Sequence, residues 1–297
     1  MQILINGGFP FIGNAYSGIW KDSIGDANKK GFYESKLRYG INYHNNPNPD
    51  NGIYLHPRPT VQHAVKVFVP GLLKTELTFI HRVVATIRPW NEYCSSIERL
   101  LNMEDEYMAT QPEKEGELPR AVKAIVRRPN VHPVFVWWRD NFELLFDALT
   151  RKYPINLVAY DKLLESPETV IPLVLQWCNH SLEQDFFRSK AYDLKLEAAI
   201  QMVEKGMRTQ KSPAVTAPGI PDHILQVFDD VYACFYQGGS RITNEFCTML
   251  NTAHQEIEQL RILQEKEGKK QKILRLQDLG LSKNEIVEAL KSRPNRP

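Results

Sequence analysis

Several features that would point to a common class of protein are missing from this sequence. The chain has 297 residues and only four cysteines, which form no C-x-x-C pair: Cys94, Cys178, Cys234 and Cys247. Such wide spacing predicts free thiols in a reducing compartment. Lysine and arginine outnumber aspartate and glutamate by 37 to 35, and this small excess gives no reason to expect nucleic-acid binding.

Long apolar runs are also missing. No stretch approaches the roughly 18 uninterrupted apolar residues that a membrane-spanning helix needs. The start of the chain lacks the basic residues and longer apolar run of a secretory signal, so we expect a cytoplasmic protein without a membrane partner. Neither the metal-binding pattern H-E-x-x-H nor the nucleophile elbow G-x-S-x-G occurs, and we expect no bound metal.

The most informative segment is the beginning of the chain. Residues Gln2–Asn6 form an apolar run that predicts a short strand, and a glycine-rich turn follows it. The turn contains Gly7, Gly8 and Gly13. Backbone N–H groups in such a turn, with a helix after it, can face an anion. The first basic residue is Lys21, so the turn lacks the lysine of a G-x-x-x-x-G-K-S/T phosphate loop.

A second segment supports an anion site. Residues 79–87 are β-branched and largely apolar, which is typical of a buried parallel strand. Arg88 follows this strand, and residues 91–101 predict a helix that carries Ser96 in its first turns. An arginine offers a bidentate fork and a serine offers a hydroxyl donor, so the two can converge on one phosphate.

The remaining pattern predicts an α/β fold, with strands alternating with helices. Strands are expected at 2–6, 63–69, 79–87 and 155–160, helices at 140–152 and 167–177, and loops at 42–59 and 212–221, the latter covering the site.

The C-terminal part has a different composition, which suggests an α/β domain over 1–240 and a helical extension over 241–297. Residues 241–277 predict one long polar helix that Gly280 would end, and Ser282 and Glu285 match a capping box for a last short helix. The long helix either packs on its own domain or serves as an arm for a partner or a second copy of the chain.

These motifs resemble those of the sulfotransferases that use 3′-phosphoadenosine 5′-phosphosulfate (PAPS). In that family a loop containing Gly, Pro, a basic residue, Ser or Thr, and a second Gly binds the 5′-phosphosulfate. The matching residues are Gly8, Phe9, Pro10, Phe11, Ile12, Gly13 and Asn14. Arg88, Glu92 and Ser96 have the spacing of the family's 3′-phosphate motif, and Tyr160 opens a segment similar to its Y-E-D-L-L-x-x-P-E.

The resemblance extends over roughly residues 1 to 180 and includes 31–34 and 63–70. It implies a three-layer P-loop-like fold with a central parallel sheet, a PAPS donor without a metal, and an acceptor that is a small molecule, a glycan or a peptide. It also implies that Arg88 and Ser96 hold the 3′-phosphate, that Tyr160 belongs to the nucleotide site, and that Lys66 neutralises charge at the transferring group.

The sequence departs from the family at positions that matter for chemistry. Phe11 occupies the place of the loop's basic residue, and Phe68 the place of a central-strand histidine that acts as general base. Two other residues are candidates for that base, with Glu34 ranked before His56. The remaining candidates are His44, His63 and His81.

Two functions therefore remain open. As an enzyme, the protein would transfer a sulfuryl group from PAPS to a hydroxyl or an amine. As a non-catalytic protein, it would keep the fold and bind a nucleotide or a partner. A P-loop kinase is disfavoured because the loop lacks its lysine and its hydroxyl.

Overall fold

A computed structural model gives the fold and describes residues 1–15, 20–28, 30–48, 51–60, 63–113, 117–180, 192–203, 217 and 219–291. Its helices are α1 (Gln2–Asn6), α2 (Trp20–Ile24), α3 (Val69–Leu72), α4 (Trp90–Thr110), α5 (Arg120–Arg127), α6 (Val134–Arg151), α7 (Tyr160–Glu165), α8 (Pro167–Asn179), α9 (Leu196–Ile200), α10 (Asp222–Tyr236), α11 (Asn244–Asp278) and α12 (Lys283–Lys291). Its strands are β1 (Phe11–Ile12), β2 (Ala64–Val65), β3 (Val83–Ile87) and β4 (Ile155–Ala159). Every helix within these ranges is too short or too polar to cross a lipid bilayer.

The strands form two parallel pairs. β1 pairs with β2, with Phe11 opposite Ala64. β3 pairs with β4 over five residues, and Ile87 lies opposite Ala159 at their carboxyl ends. The predicted mixed α/β class is therefore confirmed. Within the described ranges the two pairs are separate, and no long central sheet joins them.

The predicted first strand is wrong, because Gln2–Asn6 form helix α1. A helical bond of 2.8 Å runs from the Gly7 N–H to the Ile3 carbonyl. A run of three apolar residues is too short for its periodicity to distinguish a strand from a helix. The helical form places Ile3 and Leu4 in an apolar cluster with Leu175 of α8. The first strand in the structure is β1, which begins at Phe11.

The other three predicted strands are present, and each is shorter than expected. β4 ends one residue before the predicted 155–160 range does. The strand expected at 79–87 begins at Val83, because Leu77–Phe79 form a 3₁₀ turn. The strand expected at 63–69 is reduced to β2, because α3 begins at Val69 with Pro70 in its first turn, where proline fits well.

The predicted internal helices are confirmed. α4 contains the expected 91–101 helix and continues nine residues further, and α6 contains most of the expected 140–152 segment. α8 begins at Pro167 as expected, although Ser166 makes no side-chain capping bond there. The 42–59 segment contains no helix or strand in its described part, whereas 212–221 lies largely outside the described residues.

The main apolar core lies between the β3–β4 pair, α6, α10 and the first half of α11. Trp138 and Phe228 are fully buried, with ring centroids 5.6 Å apart. Trp137 meets the same phenylalanine ring at 5.5 Å. Large buried rings contribute much apolar area, so this core holds α6 and α10 firmly against the two strands.

The long C-terminal helix was expected over 241–277 and is present as α11. Ile257, in its first half, belongs to the main core, while Leu276, in its second half, packs with Ile286 of α12 and with α5. Side-chain packing therefore crosses the predicted boundary at residue 240. Both halves of α11 pack against other parts of the same chain. This agrees with the expectation that the long helix packs on its own domain.

α11 passes very close to the segment that follows α5. A Cβ added at Gly268 would lie 1.9 Å from the carbonyl oxygen of Asn130. Nearby, the buried Lys272 donates to the carbonyls of Val126 (3.1 Å) and Arg128 (2.5 Å) at the end of α5. A lysine charge is favourable at a helix C-terminus. Gly268 therefore allows α11 to lie close to the segment that follows α5.

The end of α11 follows the predicted chemistry. Gly280 adopts a φ of 82°, the left-handed conformation that glycine accepts readily. The Ser282 N–H donates to Glu285 Oε2 (2.7 Å), and the Glu285 N–H donates to Ser282 Oγ (3.4 Å). These reciprocal bonds confirm the capping box at the start of α12.

Candidate functional site

Three of the residues predicted to bind the nucleotide meet at the carboxyl ends of β3 and β4. Arg88 directly follows β3, and Tyr160 directly follows β4. Because the strands are parallel, both side chains lie at the same edge of the pair, and the Arg88 guanidinium lies 4.5 Å from the centroid of the Tyr160 ring. Ser96, in the second turn of α4, accepts a long hydrogen bond of 3.5 Å from Arg88 Nη1.

This arrangement leaves a cation and a hydroxyl available to a ligand. Arg88 is exposed and Ser96 is half-buried. The guanidinium–hydroxyl bond is near the limit of hydrogen-bonding distance, so an incoming anion competes with a weak contact. The start of α4 adds the positive end of a 21-residue helix close by. We call Arg88, Ser96 and Tyr160 the strand-end cluster.

Neighbouring side chains fix the backbone of the strand-end cluster. Trp137 Nε1 of α6 donates to the carbonyl oxygen of Arg88 (2.9 Å). At the start of α4, Trp90 Nε1 donates to Asp229 Oδ1 of α10 (3.2 Å). These bonds hold α4 and the end of β3 against α6 and α10. Sequence analysis missed both tryptophans, because only tertiary packing brings them to this edge.

The residue after Tyr160 is held in the same way. Tyr232 of α10 donates from its hydroxyl to Asp161 Oδ2 (2.7 Å), and the Asp161 N–H donates back to that hydroxyl (3.3 Å). Burial and the bond to Asp161 raise the pKa of the Tyr232 phenol, and the buried Glu92 of α4 adds to this effect. The phenol therefore stays a proton donor and ties α7 to α10.

A second cluster contains the two leading catalytic candidates. Lys66 follows β2, and its Nζ lies 2.5 Å from Glu34 Oε1. Glu34 is 5% exposed, and its other oxygen accepts a bond of 3.1 Å from Arg38. Lys66 Nζ also lies 5.8 Å and 5.7 Å from the centroids of the Phe32 and Phe68 rings. We call Glu34, Arg38 and Lys66 the ion-pair cluster.

The ion-pair cluster adjoins the glycine segment. Asn14 and Glu34 exchange backbone hydrogen bonds, from Asn14 N–H to the Glu34 carbonyl (3.2 Å) and from Glu34 N–H to the Asn14 carbonyl (3.1 Å). Both Glu34 oxygens are engaged by cations, so an acceptor hydroxyl would have to displace one cation before reaching the carboxylate. The geometry therefore favours Glu34 as a group that positions Lys66 over its predicted role as general base.

The other candidate bases lie elsewhere. His56 is exposed in the 42–59 loop, with its ring edge-on to Tyr54 at 4.7 Å. His44, in the same loop, stacks on Tyr43 at 3.8 Å. The described contacts of these histidines are within the loop, and the structure does not bring His56 to the ion-pair cluster.

The glycine segment differs from the predicted anion-binding loop. The Gly8 and Phe9 N–H groups donate to carbonyls of α1 at 3.1 Å each, so these donors are already used. Phe9 is buried, and the Pro10 carbonyl accepts from Ala64. Phe11 and Ile12 form β1 and are not part of a loop. The expectation that this whole segment cradles an anion with its backbone is therefore corrected.

A glycine with positive φ nevertheless follows β1 directly. Gly13 follows β1 with a φ of 140°, Asn14 comes next, and the chain then leads to α2. α2 packs against α4, the helix that carries Ser96. The segment that follows β1 and the strand-end cluster are thus connected through one helix contact, although they belong to different strand pairs.

The cysteines are free, and burial makes most of them unreactive. Burial raises the pKa of Cys94 to about 12 and those of Cys178 and Cys234 to about 11. Thiols with such pKa values stay protonated at neutral pH and are poor nucleophiles. Across the described ranges, no three His, Cys, Asp or Glu side chains lie close enough together to hold a metal ion.

Comparison of the chain with protein-family models, with curated proteins and with solved structures gave no match. The functional argument therefore rests on the strand-end and ion-pair clusters themselves.

Proposed function

We propose that this protein is a PAPS-dependent sulfotransferase, with the strand-end cluster as its site for the 3′-phosphate of the donor. The observation that carries the proposal is the approach of Arg88 to Ser96 at the carboxyl ends of two parallel strands. Ligands of open α/β folds bind at that edge. On this proposal the two strand pairs are parts of a P-loop-like fold whose α/β domain ends near residue 240, in a cytoplasmic protein.

The donor set fits a phosphate. A guanidinium makes paired, charge-assisted bonds to phosphate oxygens, and the Ser96 hydroxyl adds a neutral donor. The ring of Tyr160 supports one face of the guanidinium and leaves its N–H edge free to point at an anion. The glycine segment fits the 5′ end less well, because Gly8 and Phe9 donate within the chain. Gly13, which follows β1, is the better candidate there, because the Asn14 N–H also donates within the chain, to the Glu34 carbonyl.

Lys66 is the proposed catalytic cation. PAPS, when bound, supplies the activated sulfuryl group. Charge develops on the bridging oxygen as a group of this kind leaves, and a nearby ammonium stabilises it. The side chain of Lys66 is 31% exposed, and Glu34 and the Phe32 carbonyl, which accepts from Nζ at 3.3 Å, fix the direction of its ammonium. Arg38 shares the same carboxylate, so the cluster holds two cations around one anion.

One experiment tests the proposed function directly. The protein is incubated with radiolabelled PAPS and a panel of hydroxyl and amine acceptors, and release of adenosine 3′,5′-bisphosphate is measured. We expect release that depends on both Lys66 and Arg88. Binding of adenosine 3′,5′-bisphosphate without release from PAPS would favour the second candidate instead.

The second candidate is a non-catalytic nucleotide-binding protein. Two observations favour it: Phe11 stands at the family's cationic position, and Lys66 is engaged by a carboxylate. With Phe11 at that position, the transferring group lacks one stabilising positive charge. The carboxylate of Glu34 weakens the other positive charge, that of Lys66. Such a protein would bind nucleotide through Arg88 and Ser96 and act through a partner.

A further inference from the structure

The loop of residues 39–56 exposes large apolar side chains to an unusual degree. We call it the aromatic loop; residues 39–48 and 51–56 of it are described. Tyr43 is 76% exposed, Ile53 65% and Tyr54 45%. The rings of Tyr43 and Tyr54 each pack against a neighbouring histidine, His44 and His56 respectively. Apolar side chains exposed together on one segment commonly mark an interaction site.

Side-chain amides join the two described arms of the aromatic loop. Asn46 is buried and clamps its two arms together, donating to the Leu55 carbonyl (2.9 Å) and accepting from the Leu55 N–H (2.6 Å). Asn45 accepts from the Asn42 N–H (3.0 Å) and donates to the carbonyl of Gly40. A loop fixed in this way loses little conformational entropy on binding, which favours recognition of a partner.

The base of the loop is fixed to the body of the protein. The Ile41 N–H donates to Thr75 Oγ1 (3.0 Å), and the Ile41 carbonyl accepts from the Glu76 N–H (3.1 Å). Gly40 packs so tightly that an added Cβ would lie 2.3 Å from the Gly71 carbonyl oxygen. The backbone at the beginning of the loop is thus anchored to the segment that follows α3.

The beginning of the aromatic loop lies next to the ion-pair cluster. At its beginning, the Arg38 carbonyl accepts from the Phe68 N–H (2.9 Å), and the Arg38 side chain pairs with Glu34. At its end, the chain turns at Thr60, whose hydroxyl donates to the His56 carbonyl (2.7 Å), and then enters β2, which leads to Lys66. A partner that contacts the beginning of the loop would therefore lie close to Arg38, which shares the Glu34 carboxylate with Lys66.

The chemistry of the loop surface favours a peptide over a glycan. Glycan recognition needs free amide and carboxylate groups, but Asn45 and Asn46 use both ends of their amides within the loop. The most exposed large side chains of the loop are aromatic or aliphatic, and Asn51 is an exposed amide whose oxygen accepts from the Ile53 N–H. The basic side chains Lys36 and Arg58 flank the loop and are exposed, and Asp50 is the one acidic residue between them in sequence. This charge complements an acidic partner.

The shape also favours a macromolecule. Small ligands bind in concave cavities that bury most of their surface, whereas Tyr43 and Ile53 are mostly exposed. Tyrosine-rich loops of this kind are typical of protein-binding surfaces, since a tyrosine gives a large contact area at low entropic cost.

We propose that the aromatic loop docks an acidic peptide segment of a protein acceptor and holds it beside the ion-pair cluster that contains Lys66. The docking itself requires only the loop. The statement that the docked peptide belongs to a sulfuryl acceptor rests on the proposed sulfotransferase function.

Selection from a phage-displayed library of random dodecapeptides tests the docking. The full chain and its Tyr43→Ala/Tyr54→Ala variant are used as separate targets, and enriched peptides are then titrated by fluorescence anisotropy. We expect wild type to enrich peptides of net negative charge that contain an aromatic or aliphatic residue, with affinity at least about tenfold weaker for the variant. Leu263→Ala, which removes a 62% exposed side chain on α11, is the matched control and should bind like wild type.

A second variant tests the charge. Arg58→Glu should weaken binding of the same peptides severalfold without changing the melting temperature, since the side chain is exposed. The proposal is overturned by enrichment of neutral or basic peptides, by peptides that bind the double variant equally well, or by no enrichment. A hyaluronan oligosaccharide that binds with the same dependence on Tyr43 and Tyr54 would assign the loop to an anionic glycan and also overturn it.

The result of the peptide-binding test can be distinguished from the result of the test of the proposed function. Arg88→Ala should leave peptide binding unchanged, because Arg88 belongs to the strand-end cluster. Peptide binding without any binding of adenosine 3′,5′-bisphosphate would refute the sulfotransferase function and leave the docking surface intact. Binding of adenosine 3′,5′-bisphosphate without peptide binding would refute the docking surface and leave the proposed sulfotransferase function intact.

Discussion

The guanidinium of Arg88 lies 4.5 Å from the ring centroid of Tyr160, across the carboxyl ends of two parallel strands. The contact is possible because Ile87 and Ala159 are opposite each other in register, so the residues that follow them emerge side by side. Residues 72 positions apart in sequence thereby form one face of a site, and Ser96 on α4 forms the other.

The first prediction concerns Lys66. Lys66→Met should abolish sulfuryl transfer while leaving the affinity for adenosine 3′,5′-bisphosphate within a few-fold, because the lysine acts on charge that develops during reaction. Turnover is measured with radiolabelled PAPS and affinity by calorimetry. Lys74→Met, at an exposed lysine after α3, is the control and should behave like wild type. Unchanged turnover in Lys66→Met would make Lys66 a structural residue.

A second prediction tests the position of Phe11. Its side chain is 39% exposed and packs edge-on against Tyr33, with ring centroids 5.7 Å apart. An arginine at this place could keep its charge in water, so Phe11→Arg should melt close to the wild-type temperature. Adenosine 3′,5′-bisphosphate should then raise the melting temperature more than it does in wild type. A large fall in melting temperature without a ligand effect would mean that the position is closed to charge and would favour the non-catalytic reading.

The third prediction concerns the contact of α11 with the segment after α5. Gly268→Ala should lower the free energy of unfolding by roughly 1–3 kcal/mol or more, because the new methyl group would overlap the Asn130 carbonyl. Urea denaturation followed by circular dichroism measures the change. Lys269→Ala, at the exposed neighbouring position, should change stability little. Equal stability of the two variants would contradict the close packing of these elements.

The fourth prediction is a pH dependence. The pKa of the Cys94 thiol is raised by burial from its ordinary value of 9.0 to about 12. Above pH 9 the unfolded chain loses this proton while the folded chain keeps it, so stability falls as pH rises, by up to about 1.4 kcal/mol per pH unit for one thiol. Between pH 8 and 10, Cys94→Ala should therefore show a shallower decline in unfolding free energy than wild type. An equal slope would mean that the thiol is accessible to water.

Sequence patterns predicted the elements whose signals are local. The capping box of Ser282 and Glu285 and the long α11 depend on neighbours a few residues apart, and both are present. The three apolar residues within Gln2–Asn6 were compatible with either period, and the packing of Ile3 and Leu4 with Leu175 favours the helix. Sequence reasoning could not decide this, because the packing partner lies far along the chain.

The same distinction applies to the candidate site. Arg88 and Ser96 lie on successive local elements, so their spacing predicted a convergence that the geometry now supports. The pairing of Lys66 with Glu34 had no such signal, since 32 residues separate them and only the fold of β1, β2 and the Asn14 bridge joins them. The backbone donors of Gly8 were likewise expected to be available, and α1 uses them.

The most direct test of the central claim is calorimetric titration with adenosine 3′,5′-bisphosphate and with AMP, which differ only in the 3′-phosphate. If Arg88 and Ser96 bind that phosphate, wild type should bind the bisphosphate about ten- to a hundredfold more tightly than AMP. This ratio corresponds to the roughly 1.5–3 kcal/mol that charge-assisted hydrogen bonds contribute. Arg88→Ala should erase the preference, Ser96→Ala should reduce it, and Arg275→Ala, at an exposed arginine on α11, should leave it unchanged. Equal affinity of wild type for the two nucleotides would contradict the account.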